Sequence, residues 1–91
     1  MNGRERKQLQ DGMDDCVERI VAIVSGLTGK VEEAMASEER KMDNIPESLQ
    51  DSRTAESIGE CVEALEEALA NIEEFLDAVE DFRESFVFSK V

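Results

Sequence analysis

The second half of the chain places an apolar residue alternately four and three positions apart, and this repeat constrains the fold more than any other feature. Side chains at this spacing lie on one stripe of an α-helix. The row comprises Ile58, Val62, Leu65, Leu69, Ile72, Leu76 and Val79, and Phe86 continues it. With Val62 and Leu69 at heptad position a, the acids from Glu60 to Glu84 all fall on positions b, e or f. The pattern predicts a long amphipathic helix with an acidic outer side.

Apolar and small residues also flank this stripe. Position g is occupied by Cys61, Ala68, Phe75 and Phe82. The apolar arc is therefore wider than a two-stranded seam needs, which predicts that this helix contacts more than one neighbour.

The first half of the chain carries the same repeat less regularly. Its row is Met13, Val17, Ile20, Val24, Leu27, Val31 and Ala34, and Cys16, Val21, Ile23 and Met35 widen the stripe on both sides. Gly26 and Gly29 fall on outward positions, where each glycine costs about 1 kcal/mol relative to alanine. The repeat predicts a second amphipathic helix, with a local bend or frayed turn at the two glycines.

The segment between the two rows, "KMDNIPESLQDS", has the composition of a turn. Asp43 and Asn44 are helix terminators, and Pro46 can begin a helical turn but cannot continue one. Asp51 or Ser52 supplies an oxygen that can cap the next helix. We therefore expect one domain over residues 1–91, with helix one at about 5–43, a turn at 44–51 and helix two at about 52–86.

The predicted fold class is all-α, an antiparallel helical hairpin that resembles a coiled coil. A hairpin folded about Glu47 and Ser48 places residue i of the first helix level with residue 95 minus i of the second. A single hairpin buries one stripe of each helix, so the wider apolar arcs predict a homodimeric four-helix bundle. The candidate interface residues are Cys61, Leu65, Ala68, Leu69, Ile72, Phe75, Leu76, Val79, Phe82 and Phe86. The tail from Phe86 to Phe88 either caps the bundle or contacts a partner.

The charge balance excludes some partners. The formal net charge of −13, from 23 acids and 10 bases, opposes direct binding to nucleic acid or to an anionic membrane. No apolar run approaches the roughly 20 residues of a membrane span, and no signal-peptide h-region follows the basic start, so we expect a cytoplasmic protein. Two cysteines 45 positions apart and no histidine predict reduced thiols rather than a zinc site or a structural disulfide.

The residues also argue against an enzyme, a cofactor, a metal ion or a small-molecule substrate. Acid pairs such as Glu66 and Glu67 lie on a solvated face, where nothing perturbs them for acid–base chemistry. Gly29-Lys30 does not begin a phosphate loop, because Val31 stands where serine or threonine is required. The turn lacks the glycine of a calcium loop.

The segment "DNIPESLQDS", with the heptads "EALEEALANIEEFLDAVEDF" after it and "RERKQLQ" before it, resembles a group of short acidic proteins. They are uncharacterised helical-hairpin proteins encoded by low-GC Gram-positive bacteria, their phages and integrative elements. The resemblance implies a bacterial or mobile-element origin and an accessory role. It implies no functional residue, because that group has no assigned activity.

Two functions remain open. The first is a non-enzymatic protein–protein interaction or assembly module that dimerises and offers an acidic or aromatic surface to a protein partner. The alternative is an acidic inhibitor that mimics nucleic acid and occupies the basic groove of a nucleic-acid-binding or defence protein. The two differ in their expected response to salt.

Overall fold

Two long helices form an antiparallel hairpin in the computed structural model, which describes residues 1–50 and 52–87. Helix α1 spans Gly3–Asp43, a short 3-10 turn spans Glu47–Leu49, and helix α2 spans Arg53–Ser85. All regular structure within the described ranges is helical, and α1 packs along α2. The prediction of an all-α hairpin is confirmed. The molecule is a rod of 71 × 17 × 12 Å, with an end that holds both termini (the open end) and an end that holds the turn (the turn end).

Side-chain caps define where both helices begin. The Asn2 side-chain oxygen accepts a hydrogen bond from the Glu5 amide at 2.8 Å, so α1 begins two residues earlier than predicted. The Ser52 hydroxyl accepts from the Ala55 amide at 3.3 Å and caps α2. These bonds satisfy amides that the first helical turn leaves without an intrahelical partner.

The turn closes through backbone bonds and one side chain. The amides of Asn44 and Ile45 donate to the carbonyls of Arg40 and Met42, both at 3.1 Å, and end α1. The Gln50 side-chain amide donates to the Ile45 carbonyl at 2.9 Å and to the Met42 carbonyl at 3.4 Å. The segment is therefore a turn, as predicted, and Gln50 holds it closed. The predicted cap Asp51 lies outside the described residues.

The fully buried core is small. Val17, Ala55, Ile58 and Val79 are the buried apolar residues among those described. An ion pair between Asp14 and Arg83, at 3.6 Å, joins the two helices near the open end. Both side chains are partly exposed, so this pair contributes at most about 1 kcal/mol. The pair also shows the register of the two helices, because Asp14 lies opposite Arg83. The predicted folding point at Glu47 and Ser48 would have placed Asp14 level with Asp81.

The seam of α1 differs from the predicted row at every second position, most clearly toward the turn. Leu27 and Ala34 were expected in the seam, but both are exposed, and Thr28 and Met35 are half-buried in their place. The buried and half-buried positions keep the four-three spacing along α1, so the spacing was right and every second member of the row was placed one residue too early. These members are Met13, Ile20, Leu27 and Ala34, which lie beside the seam. Thr28 is compatible with the seam because its hydroxyl donates to the Val24 carbonyl at 3.0 Å.

The two central glycines do not interrupt helix α1. Helix α1 is continuous from Gly3 to Asp43, and no described glycine has a positive φ. A methyl group added at Gly26 or Gly29 would have no atom within 4 Å. The predicted frayed turn is therefore absent at these glycines, because a regular helix tolerates exposed glycine at a cost in stability alone.

We expect the double variant Gly26→Ala/Gly29→Ala to be more stable than the parent by about 2 kcal/mol. Each alanine lowers the entropy cost of ordering the backbone by about 1 kcal/mol. Its methyl group has no neighbouring atom within 4 Å and therefore causes no clash. Urea unfolding followed by circular dichroism at 222 nm measures the change. Equal or lower stability would show that a glycine is needed at one of these sites, and the two single variants would identify it.

Candidate interaction face

Apolar side chains outside the hairpin seam form the most distinctive surface of the molecule. We call this surface the apolar face. On α1 it comprises Leu9, Met13, Cys16, Ile20, Ile23 and Leu27, and on α2 it comprises Cys61, Ala68, Phe75, Phe82 and Phe86. Ile23 is 74% exposed, and Phe75 and Phe82 are each 49% exposed. Side chains this large and this exposed on a regular helix mark a contact surface when they are contiguous.

The two rows lie on the same side of the hairpin. Lys41 continues the α1 row through Ile20 and Leu27 at seven-residue intervals, and it lines one groove together with Cys61 of the α2 row. The groove on the opposite side of the hairpin is lined by other rows of the two helices, which include Glu39 of α1 and Glu66 of α2. Each row keeps its side, because the seam beside it follows a seven-residue repeat along the helix. The apolar face is therefore continuous across both helices rather than split between opposite sides.

Two aromatic rings near the open end are already packed against each other. The ring centroids of Phe82 and Phe86 are 4.7 Å apart, and the rings are tilted by 46°. Aromatic pairs at this separation attract each other beyond the area they bury. Both side chains are exposed, so the packed pair presents aromatic surface to solvent at the open end.

The rest of the surface of α2 is acidic. Glu66, Glu73 and Glu80 follow one row on the side away from the apolar face, and further acids occupy the outer rows. The exposed acids of α2 are Glu56, Glu60, Glu63, Glu66, Glu67, Glu73, Glu74, Asp77, Glu80, Asp81 and Glu84. The hairpin is therefore two-sided, with apolar and aromatic groups on one side and carboxylates on the other.

The ten predicted interface residues separate into two groups. Leu65, Leu69, Ile72, Leu76 and Val79 are half-buried or buried against α1, so they belong first to the hairpin seam. Cys61, Ala68, Phe75, Phe82 and Phe86 lie on the apolar face, where all but Ala68 are exposed. Half of the predicted set is thus accessible to a partner. Val87 of the predicted tail is half-buried, and Phe88 lies outside the described residues.

Sequence reasoning gave Ile23 too small a role. The heptad row assigned it only as a residue that widens the stripe, yet it is the most exposed of the large apolar side chains. A signal was present: Ile23 follows Cys16 by seven residues and Ile20 by three, so it belongs to a second apolar row beside the first. The ion pairs of Arg83 with Asp14 at 3.6 Å and with Glu80 at 3.8 Å were not predicted either.

The described residues offer few groups for site chemistry. No group of three or more histidine, cysteine or acidic side chains among them could hold a metal ion. Cys16 and Cys61 are both free and exposed. Neither helix, over the residues described, has an apolar stretch long enough to cross a bilayer. What the arrangement offers is a contact surface.

The fold and this surface define a class of protein: a two-helix antiparallel hairpin with one apolar and one acidic side. Comparisons with protein-family models, curated proteins and solved structures found no match to this chain.

Proposed function

We propose that this protein is a non-enzymatic protein–protein interaction or assembly module that dimerises through its apolar face into a four-helix bundle. The observation that carries the proposal is the continuous apolar face across both helices. In the dimer the acidic sides remain in water, where a further protein partner can reach them. The sequence resemblance supports an accessory protein of a bacterial mobile element.

The surface area of the hairpin supports a second copy as the occupant of the apolar face. The chain exposes 6896 Å², against roughly 5,300 Å² for a compact protein of its mass. The excess, about 1,600 Å², is twice the roughly 800 Å² that each partner contributes to a standard interface. A second hairpin has the length and the apolar side needed to cover that area.

The size of the core supports the same conclusion. Among the described residues only four apolar side chains are buried, and Val17 is the one buried almost completely. Domains of this length need a larger core, a cross-link or a partner to exceed a few kcal/mol of stability. Burying Ile23 and three phenylalanines against a second copy supplies that core, at about 25 cal/mol per Å² of apolar surface.

Sedimentation equilibrium tests the dimer. We expect a species of twice the 10.2 kDa chain mass at micromolar concentration. We also expect it to persist between 0.05 and 0.5 M NaCl, because apolar contacts are not screened by salt. A monomer at all concentrations up to about 100 µM would contradict the proposal.

The acidic side supports a second candidate function, an inhibitor that mimics nucleic acid. The chain carries 23 acids along a 71 Å rod, and two rods side by side would double that number. With the 10 bases of each chain subtracted, two rods carry a formal charge of −26, about one net charge per 2.7 Å, against one phosphate per roughly 1.7 Å of duplex DNA. The partner in this case would be a basic nucleic-acid-binding or defence protein.

Salt dependence separates the two functions once a partner is captured from the native host. A complex held by the acidic side should weaken steeply between 0.05 and 0.2 M NaCl and should be displaced by duplex DNA or by RNA. A complex held by apolar contacts should survive both conditions. Survival in salt together with failure of nucleic acid to compete would reject the mimic.

A further inference from the structure

We infer that the two copies pack head to tail, with the open end of one hairpin beside the turn end of the other and a twofold axis across the middle of α1 near Ile23. This inference rests on the proposed dimer and adds its geometry. In this arrangement α1 faces its own copy in the antiparallel direction, and α2 does the same. The alternative dimer, with both open ends together, places α1 opposite the partner's α2.

The charge of the hairpin is graded along its length. Near the open end, residues 1–15 and 82–87 carry five acids and four bases. In the middle, residues 16–30 and 67–81 carry seven acids and two bases, and near the turn, residues 31–50 and 52–66 carry ten acids and three bases. Packing with both open ends together would place the two most acidic segments side by side. The head-to-tail dimer instead sets each of them beside the most nearly neutral segment, which lowers the repulsion.

The apolar face is graded in side-chain size as well. Its part toward the open end holds the large residues Phe75, Phe82 and Phe86 of α2, whereas toward the turn the same helix presents the smaller Ala68 and Cys61. Close packing requires large side chains to meet small ones across an interface. Two faces stacked head to tail keep a uniform spacing along the rod. The alternative would hold the helices apart at one end and leave gaps at the other.

The position of the axis follows from full overlap of the two rods. The middle of α1 is residue 23, midway between Gly3 and Asp43. The Asp14–Arg83 pair places residue 23 level with Glu74 of α2. Ile23 therefore meets its own copy at the axis, and Phe75 lies within one residue of it on α2. The most exposed large apolar side chain thus becomes the centre of the interface, which is where the strongest contacts of an interface concentrate.

Pulsed electron paramagnetic resonance on singly spin-labelled protein tests the orientation. The variants Glu60→Cys, Glu74→Cys and Asp81→Cys, in a Cys16→Ser/Cys61→Ser background, place the label at exposed sites on one row of α2, away from the apolar face. In the head-to-tail dimer the offset along the rod between the two labels is near zero for Glu74→Cys. At 1.5 Å per residue it is about 21 Å for Asp81→Cys and about 42 Å for Glu60→Cys.

The order of the three distances distinguishes the head-to-tail dimer from the alternative, and this order does not depend on the conformation of the spin label. We expect the shortest distance at residue 74, a longer one at 81 and the longest at 60. Three equal distances from protein with the mass of a dimer would overturn the head-to-tail arrangement while leaving the dimer intact. Light scattering on the same samples measures that mass. Because Cys16 and Cys61 lie on the apolar face, the parent chain is measured beside the cysteine-free background, and a monomeric parent chain would overturn both the arrangement and the dimer.

Discussion

The variant Ile23→Glu is expected to convert the dimer to monomer at micromolar concentration. The substitution removes a large apolar side chain from the centre of the proposed interface and places two like charges at the twofold axis. Because each dimer contains the change twice, we expect the dissociation constant to rise at least 100-fold. This rise corresponds to a loss of at least about 2.7 kcal/mol of dimerisation free energy. Sedimentation equilibrium over a concentration series measures the shift.

The matched control is Ala22→Glu, which introduces the same residue one position earlier. Ala22 is exposed and belongs to a heptad row on the side of α1 away from the apolar face. We expect this variant to dimerise like the parent, within about tenfold in dissociation constant. Equal weakening by both substitutions would indicate a general effect of charge or helix stability. Retention of the dimer by Ile23→Glu would show that the apolar face is not the interface.

The variant Val17→Asp is expected to unfold the chain at 25 °C. Val17 is 1% exposed and is the most deeply buried side chain of the hairpin. A carboxylate there would lose its hydration and gain no partner, at a cost of about 3–5 kcal/mol. A chain of this length with so few buried apolar residues has only a few kcal/mol of folding stability, so this loss is as large as its whole free energy of unfolding. Loss of the helical signal at 222 nm is the measurement.

Ser25→Asp provides the comparison for this substitution. Ser25 is exposed on the same helix and directly follows Val24, which belongs to the seam. We expect its unfolding free energy to stay within about 0.5 kcal/mol of the parent, as for most surface changes. Both variants must be measured at one protein concentration, because the stability of a dimer depends on it. A folded Val17→Asp variant would mean that the helices do not pack through the Val17 row.

The hairpin could be predicted because its determinants are local. The four-three spacing from Ile58 to Val79 specifies a helix, and Pro46 with Asn44 specifies where the chain must reverse. Each of these signals lies within a few residues of the feature it predicts. The bounds of both helices consequently agree with prediction to within about two residues.

The rotation of α1 about its axis could not be predicted in the same way. Apolar residues flank Val17, Val24 and Val31 on both sides, so the repeat does not determine which side faces α2. That choice depends on contacts with residues of α2, which lie far along the chain. The error at Leu27 and Ala34 concealed the second apolar row, and with it the role of Ile23.

The existence of exposed apolar surface outside the seam was predicted for a related reason. Wide apolar arcs indicated that more surface existed than one hairpin could bury, and Phe75 and Phe82 were correctly placed outside the seam. Their alignment with the α1 row depends on antiparallel pairing at a defined register, which the Asp14–Arg83 contact establishes. A sequence pattern treats each helix separately and cannot supply that alignment.

Small-angle X-ray scattering on the eluting chromatographic peak tests most directly whether two hairpins pack side by side through one face. The account predicts a particle of twice the 10.2 kDa chain mass whose longest dimension stays near the 71 Å of one hairpin, while its cross-section grows. A particle of single-chain mass would contradict the account. So would a dimer about twice as long as one hairpin, because its copies would meet at their ends and leave the apolar face uncovered.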